Sequence, residues 1–566
     1  MELNGKTVLV CACEGTMALD HERLGCAKSE SATQLCRAEM GRFTRALEAG
    51  RPIVLGCTQE APVFEEARLD AGSPVPVTYV NIRERAGWSD EGRAAGPKMA
   101  ALLAEAALDL PTIQTVPLKS EGVALIYGRD ERAIEVAQQL KDRLDITVLL
   151  TRPGEILPPR QTEFPVLKGT IRSARGHLGA FEVEVDDYAA PLPSSRGSLV
   201  FDLARNGAKS TCDIVIDLSG GAPLFPGHGR DGYLRADLNS VPAVAALVLK
   251  AGDLVGEFDK PRFVDYRAEL CAHSRSKRTG CVRCLEVCPT GAITPAGDHV
   301  AIDPYVCMGC GSCSAVCPTG AATYALPKPA PLVDRLRTLL LAYQDAGGAM
   351  PVILVHDGEH GAPFVELLGR HGAGLPARVL PFTVTEVTQI GLDFLGAAFA
   401  YGAAEVRFLV TGRRRDDLAP LARVIDYADA ILAGLGFGPG RIGVIDTDDP
   451  DVLGEALRQI EARDGGATRR FAAIGDKRGL TRLALSELHA GAPAPVDLLA
   501  LPAGAPFGRI EVKTDGCTLC LSCVAACPTA AIQDNPDKPA LLFLEDACVQ
   551  CGICANTCPE SVISLE

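Results

Sequence analysis

The 566-residue chain has no run of 18 apolar residues. Its nearest approach, IGLDFLGAAFAYGAA, is interrupted by Asp393, so no membrane-spanning helix is expected. It has no basic surplus either. The net charge is −15 and the pI about 5.2, which argues against nucleic-acid binding, since phosphates need a basic face. The acidity itself reads as solubility. The opening MELNGKTVLVCACEGT lacks the features of a secretory leader: polar residues precede a short apolar run, and no small-residue cleavage site follows. The expected compartment is therefore cytoplasmic, where thiols stay reduced. Cysteine, too, is missing from a long stretch, residues 330–500.

What remains is concentrated. The chain is too long for one core, so roughly three to five domains are expected. In a reducing compartment 22 cysteines point to metal rather than disulfides. Sixteen of them fall in two groups, 271–317 and 517–558. The other six are Cys11, Cys13, Cys26, Cys36, Cys57 and Cys212.

The C-terminal group is complete. Cys517, Cys520, Cys523 and Cys527-Pro528 form one run, and Cys548, Cys551, Cys554 and Cys558-Pro559 repeat its spacing. Three closely spaced thiolates cap three irons of a [4Fe–4S] cube, and the fourth cysteine of each run ligates the other cube. The expected sets are Cys517, Cys520, Cys523 and Cys558 for one cluster, and Cys548, Cys551, Cys554 and Cys527 for its neighbour. Zinc is the alternative for paired Cys-x-x-Cys motifs, but zinc needs neither the third cysteine nor the crossing fourth.

The middle group has one complete run, Cys307, Cys310, Cys313 and Cys317-Pro318. The other, LCAHSRSKRTGCVRCLEVCP, has Arg278 where a first cysteine belongs. Cys271 is the candidate replacement, returned by a polar loop, AHSRSKRTG. It would complete a cluster with Cys281, Cys284 and Cys317, leaving Cys307, Cys310, Cys313 and Cys288 for the partner. The alternatives are a three-cysteine [3Fe–4S] or empty site with Cys271 as bystander, or His273 as ligand, although a lone loop histidine reads as polar surface. Four such centres in two pairs make a wire for single electrons.

At the N-terminus, KTVLVCACEGT and RPIVLGCTQEAPVFEEA read as strands ending in cysteine, with a helix starting near Cys36 between them. Alternating strands and helices imply a parallel sheet whose strand ends gather functional residues, so three segments bring cysteine to one edge. By spacing alone these are equally a metal site or small buried hydrophobes. Residues 1–105 resemble the N-terminal domain of the A subunit of heterodisulfide reductase. The resemblance rests on the Cys-x-Cys after the first strand, QLCRAEMGR, GCTQEAPVFEEA, and VNIRERAGWSDE with Trp88, the only tryptophan. It implies a fifth [4Fe–4S] cluster held by Cys11, Cys13, Cys36 and Cys57. Cys26 lies outside the matched positions, though it could displace one member of the Cys-x-Cys. The resemblance also hints at a homodimer and at larger complexes.

In that family, EGVALIYGRDERAIEVAQQLKDRLDITVLL would open a flavin-binding domain. Its turn should read G-x-G-x-x-G, but Tyr127, Arg129 and Arg132 occupy the glycine positions. CDIVIDLSGGAPLFP, 212–226, resembles the strand and turn that close such a domain. The reading is a kept fold without tightly bound FAD, with Cys212 in the core; rescue of phosphate binding by the arginines stays open. Residues 330–500 read as strands PVILVHDGEHG, GAAEVRFLVTG and RIGVIDTDD with helices such as 416–435 between. They weakly resemble the delta subunit of the hydrogenase that partners heterodisulfide reductase, a [2Fe–2S] domain. HDGEHG stands where its cysteines should be. His356 and His360 could bind metal, but read as polar surface.

The expected fold class is multidomain α/β, with parallel-sheet Rossmann-like units and two ferredoxin-like 2[4Fe–4S] α+β modules. The divisions are 1–110 (cluster-binding), 111–258 (degenerate flavin-type), 259–328 (ferredoxin module), 329–505 (cysteine-free) and 506–566 (ferredoxin module). Pro/Gly-rich joints lie at about 106–120, 325–332 and 492–510. The expected function is an electron-transfer subunit or hub with about five clusters, serving redox protein partners, and not itself a catalyst. One rival is a flavin- or dithiol-dependent oxidoreductase using Cys11 and Cys13. The other is an assembly factor for a larger redox enzyme such as a formate dehydrogenase.

Overall fold

The computed structural model describes the chain except residues 160, 162, 226, 228 and 411–417. The last residue of the Gly-rich turn, Pro226, the end of GAAEVRFLVTG and the start of the 416–435 helix therefore lie outside the described residues. The fold is mixed α/β with parallel sheets. No helix among the described residues is long and apolar enough to cross a membrane.

The N-terminal sheet runs Glu2–Leu3, Lys6–Leu9, Ile53–Leu55, Val77–Tyr79, parallel after its first hairpin. Its central strand, Ile-Val-Leu, is fully buried, as expected of a strand covered on both faces. The second sheet has seven strands. Four, Asp145–Leu150, Val123–Gly128, Ile214–Leu218 and Tyr233–Arg235, lie side by side and parallel. Next to Asp145–Leu150, Val166–Arg175 also runs parallel, and then Phe181–Ala189 and Ala208–Cys212 turn antiparallel. An antiparallel ribbon of Thr115–Ser120 and Gly256–Pro261 carries the chain out of this unit into the first cysteine group.

The cysteine-free segment forms a four-stranded parallel sheet in the order Val379–Val384, Val352–Asp357, Glu405–Val410, Ile442–Asp446. Three of these strands are those read from the sequence. The fourth, Val379–Val384, contains Pro381 and lies at the edge, where a missing amide donor is tolerated. The 416–435 helix is observed as Ala419–Gly434.

Residues 1–110 and 329–505 share one hydrophobic core, which runs from Val8 and Met99 through Leu339 and Phe399 to Leu488. Lys98 is fully buried at that junction, donating to the carbonyls of Leu375 (3.2 Å) and Pro376 (2.7 Å), and burial pushes its amine down to about 7. His356 is not polar surface as read from sequence. It is fully buried, with Nδ1 on the Asp357 carbonyl at 2.9 Å and Nε2 facing the Thr383 hydroxyl at 3.3 Å. His360 ends the preceding turn, 3.7 Å from Asp357.

Candidate metal centres

Each ferredoxin-like unit is two antiparallel strand pairs and two one-turn helices. In the middle unit Val264–Tyr266 pairs with Ala322–Tyr324, and Ile293–Ala296 with His299–Ile302. In the C-terminal unit Ile510–Val512 pairs with Ile563–Leu565, and Ile532–Asp534 with Leu541–Phe543. The helices Ser312–Val316, Ser522–Ala526 and Ile553–Thr557 each follow a Cys-x-x-Cys turn, Arg283–Val287 follows Arg278-x-x-Cys281, and all four end at the Cys-Pro. So short a core leaves the cysteines themselves as packing residues: Cys523, Ile532 and Cys554 are the buried centre of the C-terminal unit.

Electrostatics shows which thiols stand together. Burial first, then Cys317, Cys281 and Cys271, push the Cys284 thiol up to about 12. Burial raises Cys310 to about 11, with Cys307 and Cys288 adding to it. Cys313, wholly buried, is raised further by Cys310, Cys307 and Cys288. In the C-terminal unit burial lifts Cys554 to about 12, helped by Cys551, Cys548 and Cys527, while Cys523 is raised by burial, Cys520 and Cys558. The fourth cysteine of each run thus sits with the other half, as the crossing pattern requires. Crowded thiols resist ionisation in the bare protein; bound iron reverses that preference.

Cys271 is brought back to Cys284, though not by an open loop. Ser274–Arg275 and Arg278–Thr279 pair as a tight hairpin, with Ser276 and Lys277 at its tip at φ 50° and 66°. His273 is buried inside this return rather than on the polar surface, its Nδ1 2.9 Å from the Cys281 carbonyl. The Tyr266 hydroxyl, pushed up by burial and by neighbouring Cys271, accepts from the Val300 amide at 3.2 Å.

At the N-terminus Cys11, Cys13, Cys36 and Cys57 line one cavity of about 220 Å³. The amides of Cys13 and Leu35 donate to Cys11 Sγ at 3.3 and 3.4 Å. Arg83 donates to Cys13 Sγ at 3.6 Å while paired with Glu84 (2.6 Å) and lying 4.2 Å over Trp88. Cys26 does not line the cavity; it lies 3.7 Å from His21 Nδ1. Cys212 is buried in the seven-stranded sheet's second core, where burial pushes its thiol up to about 12.

Among the described residues no three His, Cys, Asp or Glu side chains converge on a point that would hold a single metal ion. A cube takes one thiolate on each of its four irons, so its ligands stand apart. The donor sets above fit [4Fe–4S] clusters. The flavin turn fits its cofactor poorly. Tyr127 is buried in the sheet, Arg132 is held by Asp130 at 3.0 Å, and Gly128 is used for close packing, since a Cβ there would lie 2.2 Å from that of Ala133.

The sequence reading missed a signal that three runs share. In Cys-Pro-Thr at 288, 317 and 527, the threonine hydroxyl lies 3.6–3.7 Å from the cysteine sulfur. The fourth run reads Cys558-Pro559-Glu560. Hydrogen bonds to sulfur set cluster potentials.

The two units also touch. A Cβ on Gly280 would lie 2.2 Å from Ile553 Cγ1, Asn556 donates to the Thr279 carbonyl at 2.7 Å, and Arg283 reaches the carbonyls of Ala505 and Gln550. Cys281 is close enough to Cys551 for each charge to act on the other.

These are ferredoxin-type dicluster units. Residues 277–321 match the 4Fe-4S dicluster domain family, and residues 516–563 match a second 4Fe-4S dicluster domain family. The first match begins six residues after Cys271. No curated protein matches the chain. The two dicluster domains support an iron–sulfur electron-transfer role.

Proposed function

We propose that the chain relays single electrons through about five [4Fe–4S] clusters on a scaffold like that of the heterodisulfide reductase A subunit. A bound cube supplies one-electron storage and release. In this reading the relay runs from the Cys288/307/310/313 set to Cys271/281/284/317, then Cys527/548/551/554, and last Cys517/520/523/558. The observation that carries this reading is the Gly280–Ile553 junction, which sets Cys281 beside Cys551. Cys11, Cys13, Cys36 and Cys57 would hold the fifth centre. The cysteine-free domain grips both ferredoxin units: Lys477 donates to the carbonyls of Ser314, Ala315 and Cys317, and Arg478 to those of Cys548 and Asp546. It acts as a clamp that fixes their spacing. Redox proteins, such as a formate dehydrogenase, are the partners this role calls for.

Iron and sulfide per chain, with EPR on stepwise reduction, test the reading. Five cubes require about twenty of each. About sixteen would remove the N-terminal centre, and clusters of the two units that fail to interact magnetically or to share electrons would refute the relay.

A further inference from the structure

Between the clamp and the two ferredoxin units lies a cavity of about 230 Å³, bounded by Cys317 on one side and by Pro506 and Phe507 on the other. Four cations line it: Arg283, Arg423, Lys477 and Arg478. Glu286 is the one acid among the lining residues. None of the four cations pairs with a carboxylate among the described residues. Part of this charge has a use already. Lys477 spends its protons on three backbone carbonyls, and Arg478 spends its terminal nitrogens on Pro506, Asp546 and Cys548. The rest is surplus. Arg478 stacks its guanidinium 4.1 Å over the Phe507 ring, and its Nε is buried with no hydrogen-bond partner. Arg283 uses one nitrogen on two carbonyls, and Arg423 has no hydrogen bond or ion pair among the described residues. Uncompensated cations facing one hollow repel each other and invite an anion. The first turn of the 14-residue helix Lys477–Ala490 supplies Lys477, Arg478 and Thr481 to the lining, so its dipole adds to the same field. The remaining wall is apolar and aromatic, with Leu392, Val424, Tyr427 and Phe507.

We propose that this cavity binds a phosphomonoester carried on a small aromatic body. The phosphate faces Arg283, Arg423 and Arg478 Nε, and the ring lies against Tyr427 and Phe507. Surplus charge above one unit favours a dianion over a carboxylate, and the apolar wall favours an organic body over free phosphate. The site adjoins the backbone of Cys317 and Cys548, so occupancy lowers the potential of both facing clusters; that consequence, unlike the binding, rests on the electron-relay reading.

The test is anaerobic titration calorimetry of the cluster-loaded full chain with AMP, FMN and inorganic phosphate. The expected result is saturable binding of AMP or FMN, competed by inorganic phosphate, and weakened at least tenfold in Arg423→Glu. Arg423 is exposed, so this variant keeps its fold; unchanged iron content verifies it. Arg283→Gln weakens binding in the same direction. The proposal is overturned if none of the three probes binds below millimolar concentration, if only inorganic phosphate binds, or if Arg423→Glu binds like wild type. Binding that leaves every cluster potential unchanged upholds the site and counts against the relay reading instead.

Discussion

Cys271→Ser is the sharpest test of the ligand assignment. The substitution replaces sulfur by oxygen at a side chain only 7% exposed, so packing is largely kept. What changes is the fourth ligand of one cube. If five cubes are present, wild type holds about twenty irons. The variant then holds about nineteen if the site survives as [3Fe–4S], or about sixteen if it empties. EPR separates the two outcomes, because a [3Fe–4S] centre is paramagnetic when oxidised and a cube is silent until reduced. The neighbouring cluster is spared in either case: Cys288, Cys307, Cys310 and Cys313 do not depend on the hairpin that returns Cys271. Cys212→Ser is the control. Cys212 is as buried as Cys271 but packs among apolar side chains of the seven-stranded sheet, so its loss removes no iron. A Cys271→Ser protein with wild-type iron and an unchanged EPR spectrum refutes the assignment, whatever the state of the other clusters.

Four further outcomes follow from the geometry. Gly280→Ala places a Cβ 2.2 Å from Ile553 Cγ1 and costs about 1–3 kcal/mol at the junction; Ile553→Ala in the same chain recovers much of it, so a double-mutant cycle on thermal stability is strongly non-additive, and additivity refutes the contact. Thr529→Val removes a hydrogen bond to Cys527 and lowers that cluster's potential by about 0.5–1.5 kcal/mol, on the order of 20–60 mV. Glu560→Thr raises the potential of the Cys558 cluster in an EPR-monitored titration. Burial, then Arg85, hold the His356 imidazole near 4, below its ordinary 6.5. Below pH 6.5 the unfolded chain therefore binds a proton that the folded one refuses, and stability falls as pH drops, by about 1 kcal/mol between pH 6.5 and 5.5. His356→Gln flattens that slope in thermal melts; an identical slope shows the imidazole to be protonated in the fold.

The sequence carried the ligand chemistry further than the architecture. Cysteine spacing is a local signal, and a crossing fourth ligand is written into the Cys-Pro that ends each run. Cys271 stands out as the candidate ligand because a cube needs four thiolates and only one cysteine is near enough. The hairpin that delivers it was not legible: AHSRSKRTG has no apolar alternation, and Ser276 and Lys277 are not residues that announce positive φ. His273 and His356 escaped because a single histidine reads alike on a surface or in a core until its neighbours are known. The shared core of residues 1–110 and 329–505 joins segments more than 200 residues apart, and apolar helix faces such as Gly96–Ala106 and Pro329–Asp345 do not name their partners.

In the relay reading, two corresponding half-sites that differ at one corner give the relay its direction. Gly280-Cys281-Val282 in the middle unit corresponds to Leu519-Cys520-Leu521 in the C-terminal unit. At the inner position the glycine lets Ile553 approach and sets Cys281 beside Cys551. At the outer position both leucines are exposed and Cys520 is open to solvent. They also sit at φ 52° and 58°, where the comparable turns of the other complete runs use Gly309, Gly311 and Gly552, and Gln550 at φ 51°. A left-handed leucine costs about 1–2 kcal/mol that glycine would avoid. Both leucines line the pocket over Cys517, Cys520, Cys523 and Cys558, so they cover this cluster's site while staying more than a third exposed. The same cluster is the one whose crossing cysteine is followed by Glu560 in place of threonine. Leucine at the corner and glutamate at the sulfur both set the Cys517/520/523/558 centre apart from the three that face protein. In the relay reading it is the terminus that meets another molecule, and the Gly280 corner, whose first cysteine is replaced by Arg278, is the step that stays inside.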